Sequence, residues 1–229
     1  MQHSISQNDT SSAAKLTRVL LICGVVAGPL FTVVGLIQAF TRQGFDLTRH
    51  AFSLLENGTL GWIQITSFVL TGSLFVACAI GMRRVLRGTR GGTWGPVLIG
   101  ACGVGLIGAG CFTADPGLGF PPGTPTGANM VSWHGIVHLI VASLSFLAII
   151  SACFVFTRRF ASQGLRGWVI YSLVTGVIAF ISFAGEASGQ LWINLAFVLT
   201  ALGAYIWLSA VAAKLYIVST RAMKNAQER

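Results

Sequence analysis

Residues 133–156 read WHGIVHLIVASLSFLAIISACFVF, an apolar run with two histidines at its head. From Leu139 to Phe156 the run has no charged residue, and as an α-helix it is long enough to cross a bilayer. His134 and His138 are four residues apart, so both imidazoles lie on one face of that helix. The stretch therefore predicts a membrane helix with an ionisable pair at one end, where such groups indicate function.

Long apolar blocks recur over most of the chain. Of the 229 residues, 54% are hydrophobic and 9% are charged, whereas soluble domains have about 25% charged residues. The pattern predicts an all-α, polytopic membrane protein, a bundle of six transmembrane helices. The predicted spans are Val19–Phe40, Leu60–Ile80, Trp94–Ala114, Trp133–Phe156, Trp168–Ala184 and Leu191–Ala213. The predicted domain organisation is a disordered tail at 1–15, a membrane domain at 16–216 and a second tail at 217–229.

The basic residues predict the orientation of the bundle. Of the 15 Lys and Arg residues, only Arg42 and Arg49 lie in the segments that join spans 1 and 2, 3 and 4, or 5 and 6. Basic residues favour the cytoplasmic side, so both termini are predicted to be cytoplasmic. The net charge of +9 follows from these flanking residues and does not indicate nucleic acid binding.

With this topology, imidazoles, carboxylates and a serine collect at the outer face. His50, His134 and His138 together would supply the three ligands of a catalytic zinc site that leaves one position open. Asp115 ends span 3, so it would be a fourth ligand, orient an imidazole or activate a metal-bound water. Ser53 follows His50 by three residues and would assist by donating a hydrogen bond to an oxyanion.

Each of these residues also has a structural interpretation. The His134/His138 pair would then only bond to neighbouring helices, and His50 would be a solvated loop residue. Asp115 before Pro116 is a common way to open a turn or cap a helix. Ser53 would be structural as well. Glu56 and Glu186 are interpreted as solvated, and the alternative for Glu186 is a position that faces the polar site at the outer face.

Several segments resemble a known family. They are Arg49–Leu55 (RHAFSLL), Gly61–Gln64 (GWIQ), Phe68–Gly72 (FVLTG), Phe112–Pro116 (FTADP) and His134–His138 (HGIVH). They look like the signature segments of a prokaryotic six-span family known as domain of unknown function 998. The resemblance implies a six-span fold in the cytoplasmic membrane, and it implies no activity.

The inventory of polar residues is similar, more distantly, to that of the alkaline ceramidases and adiponectin receptors. Those membrane hydrolases combine a His-x-x-x-His pair, a further His, an Asp and a Ser around zinc. This chain has six predicted spans where they have seven, and His50 precedes Ser53 where they place the serine first.

The sequence thus favours a metal-dependent hydrolase of a lipid or lipid-linked substrate, with membrane lipids as its partners. The alternative is a non-enzymatic membrane protein, which would be a transporter, a sensor or a binding subunit. Transporters usually place polar groups near the bilayer midplane, and spans 2, 5 and 6 carry no charge there.

Overall fold

The computed structural model describes residues 2–127, 131–186, 188 and 190–227, which form six long α-helices and one 3₁₀ helix. All six α-helices contain a stretch long and apolar enough to cross a membrane, which confirms the predicted all-α, six-span class. The chain is therefore a multi-pass membrane protein. The helices are α1 (Gln2–Thr41), α2 (Gly61–Leu86), α3 (Trp94–Cys111), α4 (Trp133–Ser162), α5 (Arg166–Glu186) and α6 (Leu191–Gln227), and the 3₁₀ segment is Phe52–Glu56.

The helices form a closed ring in chain order. Each packs against the next, and α6 returns to pack against α1. Short connections between antiparallel neighbours give this arrangement in helical bundles. The 3₁₀ segment packs against α1 and α2 at one end of the ring, which the orientation prediction makes the outer end. Four of its five residues are buried, so this connection is part of the core.

The ends of the chain are helical beyond the predicted membrane domain. Helix α1 begins at Gln2 and α6 ends at Gln227, so both helices cross the predicted boundaries at 15 and 216. The division of the chain into tails and a membrane domain stays a prediction.

Small residues set the spacing between α1 and α6. A Cβ added at Gly28 would lie 2.4 Å from the backbone oxygen of Tyr205 on α6. The Ser209 hydroxyl donates to the carbonyl of Gly24 at 2.8 Å and accepts from the amide of Gly28 at 3.2 Å. Glycines let membrane helices approach closely enough for such bonds between a side chain and a backbone.

Exposed tryptophans mark both ends of the bundle. Trp62 and Trp133 lie in the first turns of α2 and α4 at the outer end and are 63% and 69% exposed, and Trp94 begins α3 at the other end and is 66% exposed. Indole rings favour the membrane–water interface. The bundle therefore has an aromatic residue at each level where headgroups meet the hydrocarbon.

Cysteine labelling tests the predicted orientation. A membrane-impermeant maleimide is expected to reach single cysteines placed at Gly44 and Gly123 in intact cells, because both connections would face outward. Cysteines at Gly88 and Gly164 should react only after the cells are opened. All four glycines have positive φ in turns, which makes them matched exposed positions. The reverse labelling pattern would contradict the orientation.

Candidate functional site

His138 lies in the second turn of α4 and is 2% exposed. Its Nδ1 is 2.8 Å from the carbonyl oxygen of Phe112 and 3.0 Å from that of Ala109, at the C-terminal end of α3. Carbonyl oxygens only accept hydrogen bonds, so Nδ1 carries the proton and Nε2 is the basic nitrogen. The negative end of the α3 dipole also favours a positive charge on this ring. His138 is therefore oriented as a proton acceptor.

Glu56 is the acidic partner of this histidine. One carboxylate oxygen, Oε2, lies 3.4 Å from Nδ1 of His138 and accepts a hydrogen bond of 2.9 Å from the amide of Ala114. Burial raises the pKa of Glu56 to about 8, while the bond from Ala114 acts in the opposite direction. Near neutral pH, Glu56 is therefore mainly protonated. The interpretation of Glu56 as a solvated residue is wrong, because only 5% of it is exposed.

The two connections at the outer end hold His50 between them. Its Nδ1 accepts a hydrogen bond of 2.9 Å from the amide of Asp46, and its Nε2 lies 3.1 Å from the carbonyl oxygen of Leu118. The residue is 2% exposed, so its interpretation as a solvated loop residue is wrong. Both ring nitrogens of His50 are engaged by backbone groups, which leaves neither free to bind a metal.

Asp115 closes the N-terminus of α4. Its carboxylate accepts bonds from the amide of Ser132 at 2.7 Å and from its hydroxyl at 2.6 Å, and that hydroxyl in turn caps the amide of Gly135. The hydrogen bonds from Ser132 hold the pKa of Asp115 below its usual value. The Nδ1 of His134 lies 3.9 Å from this carboxylate and 3.2 Å from the carbonyl of Thr113. Asp115 thus has the geometry of a helix cap.

Two adjoining cavities meet at His138. The outer cavity has a volume of about 500 Å³, and its wall is mostly apolar but carries the polar side chains of Arg49, Asp115, Glu186, Gln190 and Asn194. The inner cavity has a volume of about 100 Å³ and lies among mainly apolar side chains, which include Phe31, Phe68, Leu106, Phe146, Val198 and Leu202. Ala51, Ser53 and His138 line both cavities, and we call these three residues the neck.

The structure brings together some of the predicted site residues and separates others. Ser53 and His138 share the neck, and Asp115 lies on the wall of the outer cavity. Neither cavity is lined by His134 or His50. The described parts of the chain contain no group of three or more His, Cys, Asp or Glu side chains that could hold a metal ion. The zinc site of His50, His134 and His138 stays a prediction that this geometry does not support.

One comparison with known proteins gives a match. A family model described as "Protein of unknown function (DUF998)" matches residues 25–214. The chain belongs to this family. The match includes all six helices in whole or in part, as well as the neck, Glu56 and Asp115. No curated protein and no solved structure matches the chain, so the resemblance to alkaline ceramidases and adiponectin receptors has no support here.

Sequence reasoning missed Glu56 as a site residue of this DUF998 chain, although the sequence contains a signal. Glu56 ends a five-residue segment whose other members include Phe52, Leu54 and Leu55. A carboxylate that directly follows so apolar a segment would be buried if the segment folds into the core. It also stands three residues after Ser53, which matters in a 3₁₀ helix because side chains i and i+3 eclipse each other.

Proposed function

We propose that this protein binds a lipid or lipid-linked molecule at the outer face of a prokaryotic cytoplasmic membrane. The observation that carries the proposal is the pair of cavities that share the neck. An outer cavity that carries charged and amide side chains, next to a more apolar inner cavity, is complementary to the two parts of an amphiphile. The polar part would occupy the outer cavity and part of the apolar chain would occupy the inner one. The outer volume of about 500 Å³ is in the range of ligand pockets.

The depth of the neck supports this assignment. His138 follows the first residue of α4 by five positions, which corresponds to about 7.5 Å along the helix axis. The exposed Trp133 at that first residue marks the membrane–water interface. The neck would therefore lie close to the boundary between the interfacial region and the hydrocarbon core. This is the level at which the polar and apolar parts of a membrane lipid join.

Hydrolysis of the bound molecule is a second candidate function, and the position of His138 favours it. Its Nδ1 is held by two carbonyl groups, so Nε2 has the protonation state that a general base requires. The metal-dependent form of this reaction has less support, because both ring nitrogens of His50 are engaged. A binding subunit, sensor or transporter would use the same cavities without turnover.

Filling the inner cavity should remove the bound lipid. We expect Ala142→Phe and Ala201→Phe, on α4 and α6, to lower the amount of co-purified lipid at least about tenfold. Each ring would occupy the space of the apolar chain. Mass spectrometry of lipids extracted from the detergent-purified protein measures this, and Ala101→Phe is the matched control because Ala101 is exposed on α3.

The opposite result would contradict lipid binding in the cavities. Equal lipid content in all four proteins, with unchanged melting temperatures, would mean that the lipids coat the outside of the bundle. Two cavity variants on different helices keep the test valid if one of them fails to fold. Lipid bound without any turnover would favour the non-enzymatic alternatives.

A further inference from the structure

The 3₁₀ segment Phe52–Glu56 places a serine and a glutamate on one side. A 3₁₀ helix has three residues per turn, so Ser53 and Glu56 are eclipsed and about 6 Å apart along its axis. The segment is anchored by Phe52, whose ring lies 6.2 Å from that of Phe31 and fills the space beside Gly35. The spacing of the two polar side chains is therefore fixed by a buried piece of backbone.

The imidazole of His138 lies beside the glutamate and lines the same two cavities as the serine. Its Nδ1 side faces Glu56 at 3.4 Å, and the ring also lines the neck together with Ser53. Among the described residues, neither Nε2 of His138 nor the hydroxyl of Ser53 has a hydrogen-bond partner. A basic ring nitrogen and a hydroxyl that share one neck, both without partners, are complementary groups.

We propose that Ser53, His138 and Glu56 form a metal-independent hydrolytic site that cleaves an acyl ester of the amphiphile held in the two cavities. The proposal rests on the proposed lipid binding and adds a reaction and a substrate class to it. Ser53 is the nucleophile, and His138 is the general base that activates it. Glu56 is a positioning residue that holds the ring from its Nδ1 side. Asp115 keeps its place as the cap of α4.

The reaction proceeds by two acyl transfers. The Ser53 oxygen attacks the ester carbonyl while Nε2 of His138 takes the hydroxyl proton. The bond from the carbonyl carbon to the alkoxy oxygen breaks, and the proton passes from Nε2 to the leaving alcohol. Water then attacks the acyl-serine, and Nε2 takes a proton from it and returns it to Ser53. The products are a fatty acid and the alcohol that bore the headgroup, and one water is consumed.

Burial makes the imidazolium that each step creates costly, and two features beside His138 offset part of that cost. The ring donates its Nδ1 proton to the last carbonyls of α3, where the helix dipole is negative. Glu56 adds a negative charge when it ionises, and its pKa of about 8 places that ionisation slightly above neutral pH. Two other charged groups lie nearby. Asp115 is on the wall of the outer cavity, with His134 beside it. The guanidinium of Arg42 donates to the carbonyls of Leu55 and Asn57.

The ester bond is the chemical group expected at this depth. In an acyl lipid, the ester joins the polar head to the apolar chain. The neck is the point where the outer cavity, which carries the charged and amide side chains, meets the more apolar inner cavity. A lipid that fills both cavities would therefore present its ester to Ser53 and His138. Hydrolysis and lipid binding would then depend on the same residues. The inner cavity would limit the length of the acyl chain.

The test uses the full-length protein in detergent with a fluorophosphonate probe and p-nitrophenyl octanoate. We expect the probe to label Ser53, as located by peptide mass spectrometry, and the ester to be hydrolysed in the presence of a strong chelator. Ser53→Ala should abolish labelling and lower kcat by about 10³-fold or more. The control is Ser73→Ala, an exposed serine on α2 that should leave both readouts unchanged.

The variant Glu56→Gln distinguishes a role of Glu56 in positioning His138 from a role in folding alone. The wild-type kcat is expected to rise with pH through about 8 as Glu56 ionises, whereas the kcat of the variant should not change over that range. A merely structural role would lower the amount of folded protein without altering the shape of this pH profile.

The outcomes distinguish this inference from the proposed function. Lipid in the purified protein together with unlabelled Ser53, or with full activity in Ser53→Ala, overturns the hydrolytic site and leaves lipid binding intact. Loss of activity on chelation also overturns it, in favour of a metal. A purified protein that contains no lipid and does not hydrolyse the ester would contradict both the lipid-binding proposal and the hydrolytic site.

Discussion

The melting temperature of the wild-type protein is expected to fall as the pH rises from about 5 to about 9. The cause is Glu56, whose pKa burial raises from 4.5 to about 8. The folded state therefore holds this proton more tightly than the unfolded state does. The stability that the bound proton provides is fully present below about pH 4.5 and is lost progressively as the pH approaches 8.

The expected effect of pH on the free energy of unfolding is large. Each tenfold difference in acidity corresponds to about 1.4 kcal/mol, so ionising Glu56 in the folded protein costs on the order of 5 kcal/mol. Typical unfolding free energies are only about 5–15 kcal/mol. The orphan oxygen Oε1 explains part of this cost, because it is buried and no described residue bonds to it. A carboxylate in that position would have to ionise without a second hydrogen-bond donor.

Glu56→Gln should remove most of this pH dependence. The amide oxygen can still accept from Ala114, and no charge forms at any pH. Thermal unfolding in detergent, scanned at several values between pH 5 and 9.5, measures the effect. Glu186→Gln is the matched control: Glu186 lines the outer cavity but is exposed, and although partial burial also raises its pKa, most of the wild-type slope should remain in this variant. A slope that persists in Glu56→Gln would assign the proton to another group.

The predictable part of the fold is what the local sequence specifies. Apolar length and the flanking basic residues are enough to predict six spans, and the spacing of His134 and His138 places both on the side of α4 that faces the end of α3. Neither inference requires knowledge of which distant segments meet. The start of α4 at Trp133 is likewise a local matter, because Ser132 caps it, whereas the bonds from Ser132 to Asp115 join residues 17 positions apart.

The site itself depends on contacts between distant segments. The position of His50 is set by Leu118, 68 residues further along the chain, and the partner of His138 is Glu56. Spacing alone cannot show that the connection after α1 folds into the core. The three histidines all lie at the outer end, which made a shared zinc site a reasonable prediction. Backbone groups engage both ring nitrogens of His50, however, whereas His134 and His138 are engaged only at Nδ1, which is compatible with ligation through Nε2.

Small residues that lie four positions apart in the sequence show the same division between local pattern and distant contact. Gly24 and Gly28 are spaced for helix packing, and they do contact other helices. Ala101 fits the same spacing with Gly105 on α3, yet Ala101 is exposed, whereas a Cβ at Gly105 would lie 2.6 Å from Ser145 on α4. A small-residue pattern identifies candidates for packing, and only the arrangement of the ring decides which of them face a neighbour.

Gly103→Leu is expected to destabilise the bundle by about 3 kcal/mol or more. A Cβ at Gly103 on α3 would lie 2.5 Å from the backbone oxygen of Gly72 on α2, and a Cβ at Gly72 would lie 2.5 Å from the backbone oxygen of Gly103. The contact is reciprocal and involves backbone on both sides, so no side chain can move aside to relieve it. Overpacking of this kind costs roughly 1–3 kcal/mol and sometimes more.

Helix propensity acts in the opposite direction and is too small to compensate. Leucine in place of glycine gains about 1 kcal/mol of intrinsic helix stability. Ala101→Leu, two residues away on the exposed side of α3, controls for the larger side chain and should leave the melting temperature nearly unchanged. If Gly103→Leu were as stable as this control, α2 and α3 could not be in backbone contact. Because the end of α3 holds the ring of His138, separating these helices should also reduce the lipid that co-purifies with the protein.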